Sequence, residues 1–133
     1  MRTMNKVLTL ALTLGITASS FTSFAQVSEI NTDKSTIEWV GKKIGGLHRG
    51  NIKIKTGSVE LKNDKIVAGG FTIDMTSITC TDLEDASYNQ KLVGHLNSDD
   101  FFGVAKFPTA TFKVVSSTKF VSNKASVTGD LTI

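Results

Sequence analysis

Residues Lys91 to Val114 read KLVGHLNSDDFFGVAKFPTATFKV, and within them a helical pattern hands over to a strand pattern. Tyr88, Leu92 and Leu96 recur every four residues, which puts them on one face of a helix with Lys91 and His95 on another. Ser87-x-x-Gln90 matches a capping box, so the helix is expected over residues 87–97, starting near Tyr88 and ending near Asn97. Ser98-Asp99-Asp100-Phe101-Phe102 and the only proline, Pro108, close the helical region. Ser98 reads there as the N-cap of a short second helix, with Asp99 and Asp100 in its first turn. From Thr109 polar and apolar residues alternate. A lone amphipathic helix needs a sheet to lie against, so the stretch joins two β-rich halves.

Upstream, Val27 to Ile30 reads as a short edge strand before the Asn31-Thr32-Asp33-Lys34 turn. In Ser35 to Lys42, Ile37 and Trp39 alternate with Thr36 and Glu38, the pattern of a strand with one buried face. Gly41, Gly45, Gly46 and Gly50 then read as a glycine-rich loop. Asn51 to Lys62 alternates most clearly: Ile52 and Ile54 face one way, and Val59 and Leu61 resume after a phase slip that calls for a bulge at Gly57. Asn63-Asp64 is a tight turn into Lys65 to Asp74, where Phe71 and Ile73 carry the apolar face and Gly69-Gly70 marks a bend. Met75 to Asp85, rich in threonine and aspartate, reads as loop. Downstream, Phe112 and Val114 belong to one strand, and Val127 and Leu131 to a last one over Lys124 to Ile133. About six strands result, whereas closing an antiparallel barrel takes about eight, so a further hairpin is expected beyond Ile133.

The start of the chain reads as a leader. Arg2 and Lys6 precede an apolar run from Val7 to Ile16, and Ser23-Phe24-Ala25 supplies small residues at −3 and −1. Residues 1–25 are therefore expected to be a signal peptide cleaved after Ala25, and 26–133 one domain of an exported, periplasmic or secreted, protein. The run is well short of the ~20 residues of a membrane-spanning helix. Of the 15 basic and 12 acidic residues, Arg2 and Lys6 leave with the leader, so charges in the mature part nearly balance. The lysines are interleaved with carboxylates and cluster only at Lys42-Lys43, which argues against nucleic acid as a partner. The single cysteine, Cys80, cannot form an intramolecular disulfide and reads as a small, partly buried side chain.

Chemistry-bearing residues are few. His48 and His95 are the only histidines. His95 with Asp99 and Asp100 could hold a metal or serve as a base, but the spacing also suits capping. His48-Arg49 could contact an anionic head group, or simply belong to a solvated loop. No Gly-x-Ser-x-Gly, Walker-type loop, His-Glu-x-x-His or Cys-x-x-Cys is present. What remains is a set of apolar positions expected to point inward: Ile37, Trp39, Ile52, Ile54, Val59, Leu61, Phe71, Ile73, Phe112, Val114, Val127 and Leu131, with Leu92 from the helix. They would form either a dry core or a lumen suited to an apolar chain, and periodicity does not separate the two.

Gly94-His95-Leu96, Ser98-Asp99-Asp100-Phe101-Phe102, Lys106-Phe107-Pro108-Thr109-Ala110-Thr111-Phe112 and Val127-Thr128-Gly129-Asp130-Leu131-Thr132-Ile133 closely resemble the YceI-like family of exported, lipocalin-like, polyisoprenoid-binding proteins. Asp33, Trp39 and Gly57-Ser58-Val59 match a looser, earlier part of the pattern. The resemblance implies a mainly β, lipocalin-like antiparallel barrel of eight strands with one helical insertion. Its lumen would take an isoprenoid tail of the polyprenyl quinone or polyprenyl phosphate type, without catalysis or cofactor. The protein would then be a carrier, store or sensor, with transient membrane or membrane-protein contact and a dimer as open options. A ligand-free structural or adaptor barrel ranks second. A metal-dependent hydrolase using His48, His95, Asp99 and Asp100 ranks third.

Overall fold

A computed structural model describes residues 23–133, so the leader reading falls outside the described residues except for its last three. Six antiparallel strands and one helix follow in the order β1 (Gln26–Glu29), β2 (Ile37–Lys43), β3 (Gly46–Lys62), β4 (Lys65–Cys80), α1 (Ala86–Asn97), β5 (Thr109–Ser117) and β6 (Val127–Thr132). The strands form one sheet in the order β1-β3-β4-β5-β6, with β2 also paired to β3. The protein is thus mainly β with a lipocalin-like arrangement, and the sheet is not closed on itself.

Strand β3, 17 residues long, organises one side of the sheet. β2 pairs with its first part (Ile37 opposite Ile52, Lys43 opposite Gly46) and β1 with its last (Gln26 opposite Leu61, Glu29 opposite Ser58). Both use the edge of β3 that β4 does not. They amount to one edge strand broken by the 3-10 turn at Thr32–Lys34, which Asn31 caps by accepting from the Lys34 amide.

The glycine-rich region expected as a loop is instead a tight hairpin. β2 runs to Lys43 and β3 starts at Gly46, leaving only Ile44 and Gly45 in the turn. Gly45 takes a φ of 82°, a left-handed conformation that glycine adopts without a Cβ clash. His48 and Arg49 therefore sit in a strand. At the other end of β3, Asn63 and Asp64 have φ of 51° and 58°, the paired left-handed residues of a two-residue hairpin turn.

The region expected as loop from Met75 also belongs to a strand as far as Cys80, because β4 bulges there and continues. Asp74 lies opposite Lys53 and Thr79 opposite Asn51, so β4 spends four residues where β3 spends one. Local side chains hold this bulge. The Asp74 carboxylate accepts from the Thr76 amide and hydroxyl, while Ser77 Oγ donates to the Asp74 carbonyl and accepts from the Lys53 amide. On β3 the register shifts between Ile54 and Thr56, so the slip expected at Gly57 is at Lys55.

Asp85 caps α1, accepting from the Ser87 and Tyr88 amides at 2.9 and 3.0 Å; Ser87 itself lies inside the helix rather than at its N-cap. The short second helix expected after Ser98 is a series of turns. Ser98 is the C-cap of α1, and its carbonyl accepts from the Phe101 and Gly103 amides. This tight fold-back returns Phe102 and Val104 to the helix end, where their amides bond the Leu96 and Asn97 carbonyls. α1 packs mainly on β4, and the core lies between them: Ile52, Ile73, Met75, Ile78, Leu96, Val104 and Ala110.

Candidate functional site

Within that core lies an apolar cavity of about 290 Å³. Its floor is the inner face of the sheet, contributed by Ile37 and Trp39 of β2, Ile52 of β3, Ile73, Met75 and Ile78 of β4, Ala110 of β5 and Leu131 of β6. Leu96 of α1 with Phe101 and Phe102 of the fold-back turn covers it, and Val40, Gly41 and Ile133 complete the rim. The bulge in β4 explains how Met75 and Ile78 both reach the cavity. Residues three apart point to opposite faces of a regular strand, and only the extra backbone between them restores a common direction.

Trp39 is held by a polar anchor at one side of this lining. Its indole Nε1 donates to the Thr79 carbonyl at 3.0 Å, so the ring's one polar atom is satisfied away from the hydrocarbon surface. No charged side chain contributes to the wall. Such a site offers area and shape to a ligand, with no directional bond.

Of the positions expected to point inward, Ile37, Trp39, Ile52, Ile73 and Leu131 line the cavity. Val114 is buried on β5 outside it, and Leu92 packs from α1 against the core without reaching it. Ile54, Val59 and Leu61 are half-buried along β3 and do not line the cavity; Val59 and Leu61 lie beyond the register shift at Lys55, whereas Ile54 is the direct partner of the cavity residue Ile73. Val127 is exposed near the start of β6. Phe71 and Phe112 are cross-strand partners whose rings stack at 5.2 Å; Phe71 packs against the core, and both border a different, more open cleft.

That cleft, about 570 Å³, lies over the break between β1 and β2 and is lined by Glu29, Lys55, Ser58, Thr72 and Lys113 among others. It is the larger space, but its ammonium, carboxylate and hydroxyl groups would have to be desolvated against a hydrocarbon tail. The apolar cavity, more sheltered and without charged groups, is the better ligand site.

Met75, Ile78, Phe101, Phe102 and Ala110 are not among the positions that the sequence pattern sends into a lumen. Met75 and Ile78 fall in a stretch whose threonines and aspartates read as loop, and Ala110 carries little hydrophobic signal. Phe101-Phe102 is the legible clue, an apolar pair directly after the helix.

The candidate polar residues fall into two separate places. His48 Nδ1 lies 2.9 Å from Asp82 Oδ2, and the Arg49 amide donates to Asp82 Oδ1 at 2.8 Å. Cys80, buried at the end of β4, directs its Sγ to the same Oδ1 at 3.2 Å. The Arg49 amide, the His48 ring and the Cys80 thiol together hold the Asp82 carboxyl well below the usual carboxylate range, against a smaller opposing effect of desolvation. His95 is exposed on α1, edge-on to Phe101 at 6.1 Å, while Asp99 pairs with Lys106 at 2.7 Å. Asp82, unflagged in the sequence, is thus the partner of His48; His95, Asp99 and Asp100 do not join it. Among the described residues no group of three or more His, Cys, Asp or Glu side chains is arranged to hold a metal ion.

A search of the curated proteins finds no match to this chain. The YceI-like domain model matches residues 29–133, from the end of β1 through β6, and the chain belongs to the YceI-like family.

Proposed function

We propose that the protein binds the tail of an isoprenoid lipid, of the polyprenyl quinone or polyprenyl phosphate type, in the cavity between the sheet and α1. In this reading it serves as a carrier, store or sensor in an exported compartment. The family is one of polyisoprenoid-binding proteins rather than enzymes. The observation that carries the reading is the cavity itself, about 290 Å³ walled by aliphatic and aromatic side chains from five strands, the helix and the turn after it.

The driving force is removal of hydrocarbon from water, about 0.8 kcal/mol for each buried CH₂, less the cost of ordering a flexible chain. The volume is at the low end of the roughly 300–1,000 Å³ of small-molecule sites, so it suits a stretch of a few isoprene units. Selectivity along an apolar wall is low, and discrimination between head groups falls to the rim. Arg49 and His48 lie on β3, where it pairs with the rim residues Val40 and Gly41, and are the candidates for such contact.

The test is native mass spectrometry with organic extraction of the protein purified from its own cells without detergent. An added mass that extracts as an isoprenoid supports the reading. A bare polypeptide that also fails to take up added polyprenyl lipid overturns it in favour of a ligand-free structural or adaptor role.

A further inference from the structure

We infer that the β2–β3 hairpin tip, Val40 to Arg49, is a docking element for an anionic lipid bilayer. Its side chains are of two kinds. Ile44 at the turn is fully exposed, and Val40 and Leu47 are 54% and 41% exposed. Single exposed aliphatic residues are ordinary, but three within eight residues of one projecting hairpin form a local apolar tip. Between and beside them stand Lys42, Lys43 and Arg49, and the segment VGKKIGGLHR contains no carboxylate. The pairing alternates the two kinds, Val40 opposite Arg49 and Lys42 opposite Leu47.

The carboxylate bound to this hairpin, Asp82, is engaged by the His48 ring and the Arg49 amide. Glu38, further down β2, borders a shallow groove with Arg49 but makes no ion pair with it. The cations of the tip therefore face outward without acidic partners among the described residues. Apolar residues interleaved with lysine and arginine suit the boundary between head groups and acyl chains, where each cation near an anionic surface contributes about fivefold in binding. Val40 and Gly41 also form part of the cavity rim, so insertion of the tip would bring that rim to the membrane. The inference rests on the lipid-binding reading for its purpose, since a ligand held in bilayers must be collected from one.

The opposite end of the molecule supplies the control. Lys62 and Lys65 flank the Asn63-Asp64 turn at the far end of β3, close to Lys119 and away from the cavity. The experiment is flotation of the full chain with vesicles of phosphatidylcholine alone or mixed equally with phosphatidylglycerol, both free of isoprenoid, with occupancy read separately by native mass spectrometry. Expected is flotation with the anionic vesicles only, with binding reduced about thirtyfold by K42Q/K43Q, on the order of tenfold by I44S/L47S, and unchanged by K62Q/K65Q. All variants should keep their cooperative thermal unfolding and their lipid occupancy. Absence of flotation, equal flotation with neutral vesicles, or hairpin variants that float like the parent overturns the inference. A dimer in solution that the hairpin variants dissociate also overturns it, assigning the tip to a second copy. Protein that carries isoprenoid but does not float refutes docking alone, whereas protein that floats but never carries isoprenoid refutes the cavity reading alone.

Discussion

The indole of Trp39 lies across the backbone of its cross-strand partner Gly50, so close that a Cβ at Gly50 would stand 2.8 Å from Trp39 Cε2 and would collide with the Thr79 carbonyl. From there the indole N–H reaches over β3 to that same carbonyl on β4. One side chain thus ties three strands together at the edge of the cavity, and the missing side chain of Gly50 makes room for it.

Gly50→Ala should therefore destabilise the protein by about 1–3 kcal/mol, as expected of overpacking against backbone that cannot move aside. Gly94→Ala is the counterpart. Gly94 lies within α1 and a Cβ there would meet nothing within 4 Å, so alanine should stabilise by about 0.5–1 kcal/mol. Chemical denaturation of the two variants, with opposite displacements of the midpoint, checks both.

Because Trp39 is the only tryptophan and lines the cavity, its fluorescence reports directly on occupancy. Titration with a polyprenyl quinone should quench or shift the emission with saturation. Ala110→Phe, which pushes a ring into the cavity from β5, should weaken binding on the order of tenfold, the effect expected when a few buried methylenes lose their place. His95→Ala, on the exposed side of α1, should leave the titration unchanged. Loss of binding in His95→Ala with normal folding would refute the assignment of the site.

Asp85→Ala removes the side chain that satisfies two amides of the first helical turn and should cost about 1 kcal/mol. Ser87→Ala should change stability by less than about 0.5 kcal/mol, since the serine is not the cap. Thermal melts of the pair distinguish the observed Asp85 cap from the Ser87-x-x-Gln90 box that the sequence suggests.

The Asp82 carboxyl, depressed in the folded protein by the Arg49 amide, His48 and Cys80, contributes stability that is fully present above its unfolded pKa of about 3.9. As pH falls below that value the unfolded chain binds the proton first, so the contribution declines with acidification and is gone below the folded pKa. Asp82→Asn should flatten the acid limb of a stability–pH profile below about pH 4.

Alternation and period make much of the fold legible. Asn51 to Lys62 shows its strand, Asn63-Asp64 its turn, and Tyr88, Leu92 and Leu96 their helix. The misreadings share a cause. Met75 to Cys80 looks like loop because Thr76, Ser77 and Thr79 break the alternation, yet hydroxyls that bond the bulge are what keep that strand continuous. The glycines at 41–50 look like loop because glycine is a breaker, whereas Gly50 is needed under Trp39.

The strand-rich class, the helix before Ser98, the apolar character of the interior and the family are written in the chain, because period and composition are local properties that each segment carries alone. Tertiary structure alone decided that β1 and β2 share one edge of β3, that Met75 and Ile78 turn to the same side, that Asp82 sits beside His48 34 residues away, and that Trp39 reaches Thr79 across 40. Those relations depend on register and on which strands become neighbours. They arise only when distant segments pair, and the cavity that they line belongs to no one segment.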